Sequence, residues 1–213
     1  GENSYISDTP IPIGVAHFVK HIHGECLVVP TGYDAERWKK NADLSKENMV
    51  VSIGMVKELK GIQRKGFDFL SKVATRMPQY EFHIIGPSAE CQEMLLAEAP
   101  PNLTIHGFMA QEELKLFLDK AKVFCQFSLA EGLPNTLCEA MLCECIPVGS
   151  NVNGIPKAID NEQLVIPKPN VELAEWAIEQ AMGFSTDQGV RFRERIIGQF
   201  PKSRREQAIA AVL

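Results

Sequence analysis

The sequence predicts an α/β fold, a parallel sheet with helices on both faces. Three observations point to it. From residue 49 onward, short β-branched runs alternate with longer segments of helical period, the pattern that builds a covered parallel sheet. Two of the intervening segments carry one apolar stripe each: Phe67, Leu70, Val73, Ala74 and Met77, then Leu114, Phe117, Leu118 and Ala121. With 213 residues, 45% of them hydrophobic, the chain can fill one core but not two of ordinary size. The strands are expected at residues 49–54, 80–86, 103–106, 123–127, 146–149 and 163–166. Residues 57–65 read as a cationic loop. Past residue 170 the chain is helix-rich, with Leu173, Trp176, Ala177 and Ala181 on one stripe and Ser203 placed to cap a last helix over 204–213. The first 35 residues differ. A strand-like 4–7, a helical 13–23 and a strand 26–29 ending at Pro30-Thr31-Gly32 form a βαβ-like piece too small to bury its own apolar face. The expected division is therefore 1–35, a remnant of a preceding domain and its connecting segment, and 36–213, the main domain.

Charge and cysteine usage narrow the function classes. The 22 Lys and Arg stand against 27 Asp and Glu, a net charge of -5, so no global positive field draws the chain to nucleic acid or anionic lipid. Any bound anion must be held by local groups. The six cysteines lie mostly in apolar runs such as Val123-Phe124-Cys125 and read as reduced, buried thiols of a cytoplasmic protein. Cys143 and Cys145, with Cys138 nearby, lack a second matching pair for tetrahedral zinc. His17 and His21, one helical turn apart, and His23 have no accompanying carboxylate motif and read as an exposed helix face. No metal is expected. The sequence contains neither an apolar run of spanning length nor a signal-peptide start.

The segment richest in chemistry runs from Phe127 to Met141, where a strand ends and a helix begins. At the carboxyl end of a parallel sheet, a helix start aims unpaired backbone N–H groups into the ligand crevice, and phosphate is the natural guest. Gly132 lets the backbone come close, Pro134 suits the first helical position, and Asn135 and Thr136 can add side-chain donors. Glu131 and Glu139 flank this cradle. A carboxylate beside a phosphate is unfavourable unless it accepts hydrogen bonds from hydroxyls, which a sugar or ribose offers in vicinal pairs. The combination suggests a nucleotide sugar.

This segment resembles the E-x7-E motif of family 4 glycosyltransferases, retaining enzymes of the GT-B fold. Residues 140–148, Ala-Met-Leu-Cys-Glu-Cys-Ile-Pro-Val, resemble the family's EAMACGxPVV stretch, and Asn153-Gly154-Ile155-Pro156 resembles its GGIP loop. Val29-Pro30-Thr31-Gly32-Tyr33-Asp34 resembles the interdomain PxGxD segment. Ile53-Gly54 and Lys65-Gly66-Phe67-Asp68 resemble the GRL and KG region. The resemblance implies a Rossmann-like domain, the C-terminal half of a GT-B fold.

By that resemblance Glu131 contacts the transferred sugar and is the catalytic candidate, Glu139 binds the ribose hydroxyls, and the backbone from Gly132 through Leu133, Pro134, Asn135, Thr136 and Leu137 helps hold the diphosphate. Lys65 neutralises the phosphates, and main-chain groups at His106, Gly107 and Phe108 meet the base. The donor is a nucleotide-diphosphate sugar, with no metal or other cofactor. A glycan or lipid-linked sugar acceptor would be received by the missing N-terminal domain, so this half is expected to bind donor without turning it over. The full-length protein would be cytoplasmic or peripheral to the membrane. Two departures matter. Met55 stands where the family usually has Arg, with Arg64 as a substitute, and Lys60-Gly61 and Lys65-Gly66 offer two registers, of which Lys65 is preferred because the apolar helix period starts directly after it. Asn153 replaces the first Gly of the GG pair.

Other α/β modules fit less well. Residues 54–66 lack the GxGxxG of a dinucleotide-binding domain, and Met55, Val56 and Lys57 stand where a receiver domain has paired acids. A sugar-nucleotide epimerase of the same architecture remains an alternative, although Glu131, Pro134, Asn135 and Glu139 favour transfer.

Overall fold

The computed structural model describes residues 31–210 and the backbone of residues 13–14 and 27–28. The two short strands β1 (Ile13–Gly14) and β2 (Leu27–Val28) pair in parallel. Residues 13–14 are thus a strand where the start of a helix was expected, and residues 15–23 of that expected helix lie outside the described residues. His17, His21, His23 and the expected strand at 4–7 lie outside the described residues.

The main sheet contains β3 (Glu47–Val56), β4 (Glu81–Pro87), β5 (Leu103–His106), β6 (Ala121–Gln126), β7 (Ile146–Ser150) and β8 (Val165–Ile166), in the order β5-β4-β3-β6-β7-β8 and parallel throughout. The predicted fold class holds. Because β3 leads outward to β4 and β5 while β6 returns to its other side, the sheet changes winding direction between β3 and β6, where open parallel sheets keep their ligand crevice. The register there aligns Val50 with Val123 and Val51 with Phe124, bringing the loops after both strands side by side.

Helices α2 (Phe67–Arg76), α3 (Ala89–Leu96) and α7 (Val171–Gly183) pack on one face; α4 (Gln111–Lys120), α5 (Asn135–Leu142) and α8 (Thr186–Gln199) pack on the other. Their stripes meet the sheet as the periodicity predicts: Leu70, Val73 and Ala74 from α2, Leu137 and Met141 from α5, and Ala177 and Ile178 from α7 are buried with Val50, Val51, Val123, Phe124 and Val148. Each such large side chain contributes roughly 1.5–3 kcal/mol by leaving water. Among the described residues no helix is long and apolar enough to cross a membrane.

Four local expectations are corrected. Most of the cationic stretch 57–65 is a helix, α1 (Leu59–Lys65), ended by Gly66 at φ 73, whose N–H closes on Gln63 O at 3.0 Å. Arg64 and Lys65 lie in its last turn, where positive charge suits the helix dipole. Ala121 opens β6 instead of closing α4. The strand expected at 163–166 is a 3-10 turn, Glu162–Leu164, followed by the two-residue β8; Asn161 starts that turn by accepting from Gln163 N–H at 3.0 Å. Finally, α9 (Lys202–Ala210) begins directly after Pro201, so Ser203 lies inside it and caps nothing.

Candidate functional site

The site begins where β3 and β6 end. Gly54 is bare because the aliphatic stem of Lys65 lies across it: a Cβ at Gly54 would stand 3.3 Å from Lys65 Cδ. The end of α1 is fastened to the loop after β6 by the Leu129 N–H, which donates to Arg64 O at 2.9 Å. This contact delivers the half-buried Lys65 ammonium onto the Glu131 carboxylate, with which it forms an ion pair. Lys60 and Arg64, on the same helix, are exposed and have no carboxylate partner among the described residues. Of the two possible registers, the structure brings only Lys65 to Glu131.

Behind Glu131 runs a polar chain that the sequence reading missed. Gln126 and Ser128 are buried; Gln126 Nε2 donates to Ser128 Oγ at 2.7 Å, and Ser128 Oγ donates to Glu131 Oε1 at 2.9 Å. Ser150 Oγ donates to Ser128 O at 2.6 Å. Two polar residues in a run that otherwise reads as a buried strand, Val123 to Ser128, were the available signal: such groups are kept only when bonded. The Asn153 amide donates to Glu131 O, and Gly154 N–H donates to Gly132 O at 2.9 Å. A Cβ at Gly154 would come within 2.6 Å of Gly132 O, so glycine at 154 is required for the two loops to touch.

Helix α5 starts at Asn135, with Pro134 (φ -66, ψ 122) as its N-cap residue. Pro134 therefore stands one position before the first helical residue expected of it. No side chain caps this end, and the first-turn N–H groups of Asn135, Thr136 and Leu137 have no carbonyl four residues back within the helix. Thr136 Oγ1 reaches Ile53 O and Gln126 Oε1, both at 3.4 Å, and Leu137 is buried while Leu133 is half-buried. The opposite end of α5 is closed. Arg193, buried on α8, donates to Leu142 O at 2.6 Å and Ala35 O at 2.8 Å, and Lys46 donates to Cys143 O at 2.7 Å.

Glu139 is half-buried on α5. Burial lifts its carboxyl to about 7, against the opposing charge of Arg37. Tyr33, also unanticipated, donates its hydroxyl to Asn135 Oδ1 at 3.1 Å.

Farther along the same sheet end, Gly107 follows β5; its carbonyl accepts from Gly86 N–H at 3.1 Å, and Phe108 beside it is 76% exposed. His106 stacks on His83, with Nδ1 of His83 and Nε2 of His106 3.0 Å apart and Phe117 edge-on to both. Burial lowers the pKa of both imidazoles. Met55, at the end of β3, is 58% exposed. Cys138, Cys143 and Cys145 are buried, as the apolar runs predicted; Cys145 donates to Leu118 O at 3.1 Å, and burial pushes the Cys138 thiol up to about 12.

A family model described as glycosyl transferases group 1 matches residues 34–197. The chain belongs to the group 1 glycosyltransferase family. None of the curated proteins matches the sequence. Solved structures with the same fold include sucrose-phosphate synthase from Thermosynechococcus elongatus (TM-score 0.77, 22% identity, 89% of this chain and 52% of that one). A glycosyltransferase from Rickettsia africae gives TM-score 0.73 and 12% identity over 88% of this chain and 56% of that one. Anabaena HepE in complex with UDP and glucose gives 0.75 and 13% over 86% and 55%. At these identities the likeness is one of fold. This group 1 glycosyltransferase chain spans about half the length of those structures and corresponds to the C-terminal domain of the GT-B fold.

Proposed function

We propose that this domain binds the nucleotide-diphosphate sugar donor of a retaining glycosyltransferase of hexosyl type. The observation that carries the reading is the meeting of Lys65 and Glu131 beside the uncapped start of α5, at the point where the sheet changes winding direction. When the glycosidic bond breaks, the bonding electron pair leaves with the diphosphate. Lys65 and the N–H groups of Asn135, Thr136 and Leu137 are placed to stabilise that growing charge without a metal. Glu131, steadied by Ser128, accepts from the hydroxyls of the transferred sugar, and Glu139 accepts from the ribose. Gly107 and Phe108 meet the base. Arg64, exposed in the last turn of the same helix, supplies the second phosphate cation that Met55 cannot, with Lys60 in reserve.

In this reading the acceptor, a glycan or lipid-linked sugar, is received by an N-terminal domain of which residues 1–35 carry the last part, and transfer requires both halves. The protein works in the cytoplasm or at its membrane face. Calorimetric titration of the chain with UDP and GDP tests donor binding. Lys65→Met is expected to weaken the better nucleotide by about 10- to 50-fold, the loss of one charge-assisted contact to phosphate. Glu139→Ala is expected to weaken nucleotide binding without affecting inorganic pyrophosphate. Unchanged UDP and GDP affinity in both variants would remove the assignment.

A further inference from the structure

Asn135 is exposed at the first position of α5, and the plane of an asparagine amide turns easily, so either its oxygen or its NH2 group could face the space in front of the helix. An anion there tolerates only the donor. Something must choose. Tyr33 is buried and held from the corner between α8 and α9: its N–H donates to Phe200 O at 3.0 Å, its ring meets Phe200 edge-on, and Gly32 before it lies so close to α9 that a Cβ would stand 2.8 Å from Lys202 Cα. The hydroxyl is thus placed independently of Asn135. Its proton goes to Asn135 Oδ1 at 3.1 Å. Burial, with Cys138 and Glu139 close by, pushes the phenol far above its ordinary range, so it stays a donor at every working pH.

We propose that Tyr33 is a positioning residue of the donor site: by occupying Asn135 Oδ1 it leaves only the Asn135 NH2 group to face the diphosphate at the start of α5. The proposal rests on the donor-binding reading above. It also gives the Tyr33 segment, which lies 102 residues from Asn135 in sequence, a part in binding that its sequence position does not suggest.

A double-mutant cycle on the full chain tests it, with UDP and inorganic pyrophosphate as probes in calorimetry. Tyr33→Phe, which keeps the ring and its packing, is expected to weaken both probes by about fivefold, and Asn135→Ala by a similar factor. The double variant should bind no more weakly than Asn135→Ala alone, because Tyr33 acts only through that amide. Asn135→Asp keeps an acceptor for Tyr33 but loses the donors; it should retain the melting temperature and bind pyrophosphate more weakly than Asn135→Ala. An unchanged affinity in Tyr33→Phe, an undiminished Tyr33→Phe effect in the Asn135→Ala background, or wild-type affinity in Asn135→Asp would each overturn the positioning role. If the unmodified chain bound neither probe, the donor-site reading itself would fail and take this role with it.

Discussion

The two ends of α5 are treated in opposite ways. Its carboxyl end is sealed by one buried and one half-buried cation: Arg193 donates to Leu142 O and Lys46 to Cys143 O, so positive charge meets the negative end of the helix dipole. Its amino end has a proline for an N-cap residue and no side-chain cap, with Lys65 and Glu131 paired beside it. One end spends its polar groups on fixing the direction of the helix. The other leaves its first-turn donors without a side-chain cap, which is what the proposed donor site uses. The difference teaches that a helix can be anchored at one end and left uncapped at the other, its direction held by contacts about two helical turns from its open N–H groups.

Breaking the sealed end should have the largest effect. Arg193→Met strips bonds from the buried Leu142 and the half-buried Ala35 carbonyls and is expected to cost about 2–4 kcal/mol, read as a lower midpoint in urea denaturation. A loss below about 0.5 kcal/mol would show that the Arg193 bonds add nothing net and that α5 is aimed by apolar packing alone.

The next prediction sharpens the contrast through pH. The Glu139 carboxyl titrates near 7 in the folded chain, raised chiefly by burial, against about 4.3 for an unhindered glutamate. A raised folded-state value means that the protonated form is the one the fold accommodates. That contribution is complete below pH 4 and disappears as pH rises through 7. Glu139→Gln should therefore match the parent at pH 4 and become more stable than it by roughly 1–2 kcal/mol at pH 8, after allowance for partial solvation. Parallel stability curves across this range would contradict it.

The smallest expected effect concerns the open end. If Lys65 and the first turn of α5 supply all the positive charge at the phosphates, removing divalent metal with EDTA should leave UDP affinity within about twofold. A tenfold loss on chelation would show that the uncapped end needs a metal partner to hold a diphosphate.

Some of this was legible in the sequence and some was not. The order of strands and helices followed from period alone, because a strand or helix that buries one face must repeat its apolar residues at a spacing the backbone dictates. The helical nature of residues 59–65 was hidden by their charge: α1 buries only Ile62, too little to print a stripe. Gln126 and Ser128 drew no reading from the sequence, because burial and mutual bonding become visible only once the strand is packed.

By itself, the sequence determined that a parallel sheet forms, that the thiols among the described residues are core residues and that a helix starts near Pro134, one residue later than expected. These are consequences of local geometry and hydrophobic period. The sequence also favoured Lys65 over Lys60, and the structure pairs Lys65 with Glu131; only the tertiary structure decided that Arg193 closes the far end of α5 and that Tyr33 holds Asn135. Those two contacts join residues 51 and 102 positions apart, and no local pattern shows which polar side chains will meet across the fold once the sheet has set their distance and direction.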